Sequence, residues 1–141
     1  MMHWRTSGVL DIRALLDPAS TELYFAPWRT DPRPVSGLMQ GVYAFLGVAD
    51  LWQRLRGCRA LEARAELEFA VVREQVLWAL SSLERSAALT EAGRRFTEGM
   101  RGAVEALAAE PLPAGVIQQA RDALHGNHDA WRRRNAAALR G

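Results

Sequence analysis

The stretch from Ala26 to Trp52, APWRTDPRPVSGLMQGVYAFLGVADLW, constrains the fold more than any other part of the chain. It opens as a loop punctuated by Pro27, Pro32 and Pro34 and turns into an apolar helical pattern. Leu38, Val42, Phe45, Ala49 and Trp52 recur at helical spacing, and Met39, Leu46 and Leu55 broaden the stripe. The spacing predicts a helix over 36–56, capped by Ser36 and ended by a left-handed Gly57. Gly37, Gly41, Ala44 and Gly47 form a second face of small residues. An interior glycine costs about 1 kcal/mol relative to alanine, so something must approach this face closely. A neighbouring helix is the expected cause, and a ligand is the alternative.

The remaining segments read as helices around this one. Val9, Ile12 and Leu16 suggest a helix over 4–16, stopped by Asp17-Pro18. Residues 17–35 then make a long connection, anchored by Tyr24, Phe25 and Trp28. Such a loop serves as a packed strap or, alternatively, as a wall lining a substrate site. A helix over 59–86 buries Leu61, Ala65, Phe69, Val72, Val76, Leu80 and Leu83, with Glu62, Glu66, Arg73 and Glu84 facing water. Trp78, with Leu67 and Val71, gives that helix a second buried flank. Thr90 caps the next helix, whose stripe is Phe96, Met100, Val104 and Leu107. A last helix spans 114–140. The reading is all-α: a single domain of about five helices packed around the glycine-containing helix 36–56.

Composition narrows the function classes. At 141 residues the chain is long enough for one core. All 18 basic residues are arginine, and 16 acidic residues leave a net charge of +2. Neither that balance nor any recognition motif points to nucleic acid. No apolar run approaches the roughly 18 residues of a membrane span. The single cysteine, Cys58, excludes an internal disulfide and suits a reducing cytoplasm.

Few residues are placed for chemistry. His125 and His128 share one helix face at a spacing that suits two metal ligands, but no third ligand accompanies them. Arg132, Arg133 and Arg134 suit the negative end of a helix dipole, or a phosphate or acidic peptide. Cys58 has no histidine partner beside it. Met1-Met2-His3 has the form of the last three residues of an H-E-x-x-H motif. That motif sets two histidines one turn apart around a metal, with glutamate as base. The first two letters are missing, and the opening helix lacks a cap. Both are expected if the chain starts at an internal methionine.

Four blocks, in order, carry a family resemblance: HWRTSGVLD from His3, the stretch from Ala26 to Trp52, LTEAGRRFTEGM from Leu89, and HDAWRRRNAAALR from His128. They resemble the HExxH-motif domain of peptide-modification proteins, including the inactivated metallohydrolase-like extension of FxSxx-type radical SAM/SPASM maturases. The resemblance implies a degenerate or truncated domain of a ribosomal-peptide modification system, lacking the N-terminal part of the family domain. It would bind or present a precursor peptide, or support a partner maturase. His3 corresponds to a metal-ligand position, for iron, copper or zinc if the full motif exists. Gln40 stands where active-looking relatives carry a further histidine, and an amide is a poor substitute for imidazole. Trp28, Arg29, Arg33, Gly37 and Gly41 are the candidates for facing substrate or partner. The alternatives are a metal-dependent peptide hydroxylase or hydrolase using His3, and a non-catalytic helical interaction module.

Overall fold

A computed structural model describes residues 12–140. The fold is all-α. A 3-10 turn at Ile12–Ala14 precedes a strap that carries two short strands, β1 (Leu23–Tyr24) and β2 (Arg33–Pro34). These pair antiparallel, Leu23 opposite Pro34 and Tyr24 opposite Arg33. Five helices come next: α1 (Val35–Leu55), α2 (Glu62–Glu84), α3 (Glu91–Ala108), α4 (Ala114–Arg134) and the short α5 (Ala136–Arg140). Of the expected opening helix over 4–16, only positions 12–16 lie within the described residues, and the 3-10 turn is their one helical element.

The long helices form for reasons visible in their residues. α2 runs 23 residues without glycine or proline and is rich in alanine, leucine, glutamate and arginine, all strong helix formers. α3 starts where Thr90 Oγ1 accepts a hydrogen bond from the Gly93 N–H at 3.1 Å, as its cap position predicts. α1 begins one residue before the expected cap: Pro34 occupies the N-cap position and Ser36 lies inside the first turn. Proline suits this boundary because it needs no N–H partner there. The helix then ends on right-handed Arg56, and Gly57 does not take a left-handed conformation. Here the Gly57 N–H bonds back to Arg54 O at 3.2 Å and the Cys58 N–H to Leu55 O at 3.0 Å, so a tightened last turn replaces the expected cap.

The main core joins α1, α2 and α3. Leu38, Met39, Val42 and Leu46 of α1 meet Phe69, Val76, Leu80 and Leu83 of α2, with Met100 and Val104 of α3 closing the cluster. Full burial of each such side chain contributes about 1.5–3 kcal/mol. α1 touches α2 and α3, whereas α2 touches α1, α3 and α4. The packing therefore centres on α2 as much as on the glycine-containing helix. Because α2 is enclosed on more than one side, Arg73 does not face water as its spacing suggested. It is 4% exposed. Its Nη1 donates to Leu107 O at 3.2 Å and Glu110 O at 2.9 Å, carbonyls at the C-terminal end of α3. A guanidinium there adds to the backbone hydrogen bond that Leu107 O already accepts from the Glu110 N–H, supplies a donor to Glu110 O, and faces the negative end of the helix dipole.

Residues 14–17 close over the start of α3. Thr90 Oγ1 donates to Ala14 O at 2.9 Å, and the Thr90 N–H donates to Leu15 O at 3.0 Å. Gly93 is required here, since a Cβ on it would lie 2.1 Å from Leu15 O.

Candidate functional site

The strap and the first turns of α1 bring Trp28, Arg29, Arg33, Gly37 and Gly41, five of the sequence candidates, into one assembly. Trp28 lies flat on Phe45, with ring centroids 4.7 Å apart and planes 15° from parallel. A Cβ at Gly41 would sit 2.1 Å from the Trp28 ring. The close approach expected of a helix or a ligand is thus made by the chain's own tryptophan. Gly37 is covered in the same way by Arg33, whose Nε lies 3.0 Å from where a Cβ would be. Gly47, by contrast, faces open space. Arg33 Nη1 also lies 3.6 Å from Asp31 Oδ2, and Arg29 Nε pairs with Asp31 Oδ1 at 2.8 Å. The Arg29 hydrogen bond holds the Asp31 carboxyl below the usual carboxylate range. Gln40 is exposed on α1. His3 lies outside the described residues, so its relation to Gln40 does too.

The strap is tied down from far along the chain. Asn135 Nδ2 donates to Thr30 O at 2.9 Å, and Gln75 Nε2 reaches Pro27 O at 3.5 Å. Phe25 enters a second small core with Leu124 and Trp131, packed against Trp78. His128 completes this cluster, 4.9 Å from the Phe25 ring and 4.7 Å from Trp78 between centroids. Burial, helped by nearby Arg132, pushes the His128 imidazole below its ordinary pKa. The i, i+3 histidine spacing thus serves aromatic packing: His125 meets the Trp78 edge, and His128 lies among the rings. Among the described residues no group of three or more potential ligand side chains gathers to hold a metal.

A further site, which the sequence did not single out, opens between α2 and α4. It is a cleft of about 350 Å³. Glu74, Leu77, Trp78 and Ser81 of α2 and Arg85 at its C-cap line one side, and Arg121, Leu124 and His125 of α4 the other. The spacings are helical stripes, i, i+3, i+4, i+7 and i+11 on α2 and i, i+3, i+4 on α4. At one end Arg121 Nε donates to Glu74 Oε1 at 2.6 Å. Glu74 is 8% exposed while the Arg121 side chain is 55% exposed, so the pair seals that end with the cation outward. The apolar stripe of α2 is legible in the sequence, but this one mixes polar and apolar residues and so gives no hydrophobic periodicity.

No protein-family model and no curated protein matches this chain. Among the described residues, no helix is long and apolar enough to cross a membrane.

Proposed function

We propose that this chain is a peptide-binding domain of a ribosomal-peptide modification system. It is related to the HExxH-type domains it resembles and is degenerate at Gln40. In this reading it holds a precursor peptide for a partner maturase of the radical SAM type. The observation that carries the binding reading is the α2–α4 cleft, with its apolar floor and arginine-bearing rim. Clefts that combine aromatic surface with a few placed polar groups are the usual form of a ligand site. The exposed amide of Gln40, at the position of a histidine in active-looking relatives, supports binding in preference to metal-dependent catalysis.

The gene neighbourhood and a titration test this together. A short precursor-peptide reading frame and a radical SAM enzyme are expected beside the gene. Calorimetric titration of the full chain with that precursor should saturate at a defined stoichiometry. A neighbourhood with neither gene, or no saturable binding of the precursor, overturns the proposal. Metal analysis supplies the opposing arm: stoichiometric iron, copper or zinc, lost in His3→Ala, would replace it with a metal-dependent peptide-modifying enzyme.

A further inference from the structure

The α2–α4 cleft is asymmetric in charge as well as in shape. Its one lining carboxylate, Glu74, is already neutralised by Arg121. That pairing uses only the Nε edge of the guanidinium, and among the described residues no second partner holds its Nη groups. Eleven residues on from Glu74, at the C-cap of α2, Arg85 lines the opposite end of the same stripe. Its hydrogen bond to the neighbouring Ser82 hydroxyl is long, 3.5 Å, and involves no countercharge. The cleft thus presents two cationic ends and no free anion. Between them lie Leu77, Trp78 and Leu124. At 1.5 Å per residue, Glu74 and Arg85 stand roughly 16 Å apart along α2. An extended peptide of about five residues covers that distance.

We propose that this cleft binds a carboxylate-bearing peptide segment, with acidic groups on Arg85 and the outer edge of Arg121 and an apolar side chain on Leu77, Trp78 and Leu124. The proposal rests on the peptide-binding reading above and gives it a site and a ligand class. A guanidinium with unused N–H groups matches a carboxylate in geometry as well as charge. The apolar floor supplies the non-directional part of the binding, and the two arginines fix register. A basic segment is disfavoured because it would meet like charge at both ends.

The test is calorimetric titration of the full chain with three synthetic pentapeptides. The first is blocked at both ends and alternates leucine with glutamate. The second replaces glutamate by glutamine. The third keeps the glutamines but has a free C-terminal carboxylate. The first peptide is expected to bind saturably, with the glutamine peptide about tenfold weaker or worse. Recovery by the third assigns the site to a peptide end, and no recovery assigns it to acidic side chains. Arg85→Glu is expected to weaken binding about tenfold or more, and Arg133→Glu, on the exposed end of α4, by less than about twofold. Ser81→Trp, which fills the cleft without altering charge, should also abolish binding. Equal affinity for the glutamate and glutamine peptides overturns the proposal. So does an Arg133→Glu effect as large as that of Arg85→Glu, or indifference to both cleft variants. If the natural precursor binds equally well to wild type and Arg85→Glu, the cleft assignment fails and the proposed function stands. If the pentapeptide binds the cleft but the precursor does not bind, the reverse holds.

Discussion

The indole of Trp28 occupies the space that a side chain at position 41 would need, and it does so while stacked on Phe45. A loop residue and a helix glycine are therefore one packing unit. Gly41→Ala should force the indole off its seat, at a cost of about 1–3 kcal/mol, despite alanine's better helix propensity. Thermal unfolding of Gly41→Ala, Trp28→Ala and the double variant checks this. The double variant should be more stable than the sum of the two single losses implies, because the clash exists only when both side chains are present.

Gly93 makes the same point with backbone on the other side. A methyl group there meets Leu15 O, which cannot rotate away as a side chain can. Gly93→Ala should detach residues 14–17 from the start of α3 and destabilise the protein by about 1–3 kcal/mol. Amide exchange reads the first effect directly. Protection of the Thr90 and Asp17 amides, which donate to Leu15 O and Ala88 O, should fall more than protection in α2.

Arg73 is a buried cation whose use is local. Arg73→Met keeps much of the aliphatic bulk but removes the donor to Glu110 O and leaves Leu107 O with only its backbone hydrogen bond from the Glu110 N–H. A loss of about 1–3 kcal/mol is expected in denaturant melts. Arg73→Lys should recover part of it, since an ammonium still donates at that helix end but lacks the planar fork.

His128 links stability to pH. In the folded protein its pKa lies below the ordinary value, first because of burial and then because of Arg132 and His125, with Asp129 opposing. Phe25, Trp78 and Trp131 face it from the strap, α2 and α4 and offer no countercharge. The unfolded chain therefore takes up the proton more readily than the folded one. Stability from this residue is complete above the unfolded pKa of about 6.5 and declines as pH falls through it, levelling off below the folded pKa. Melting curves between pH 8 and 5 should show this decline, and His128→Phe should flatten it.

The part of the fold legible in the sequence is the part governed by near neighbours along the chain. The α1 stripe through Leu38, Val42 and Ala49, the α2 stripe through Phe69, Val76 and Leu80, and the Thr90 cap all come from periodicity and capping within a turn or two. Arg73 escapes such a reading because its partners, Leu107 and Glu110, lie more than thirty residues away. A charged residue among apolar ones reads as solvent-facing unless the helix end it caps is known. The glycines at 37 and 41 announce a close approach, but not that Arg33 and Trp28 of the preceding strap make it. The cleft is hidden for a related reason. Its lining comes from two helices whose facing stripes are defined only once they pack.

The hydrogen bond from Asn135 to Thr30 joins residues 105 apart, and the ring cluster of Phe25 with Trp131 spans a similar separation. During synthesis, then, the strap emerges long before its anchor exists. Phe25 and Trp78 can meet each other early, but they lack Leu124, His128 and Trp131 until α4 leaves the ribosome, so this half of the molecule is the last to bury its aromatic surface.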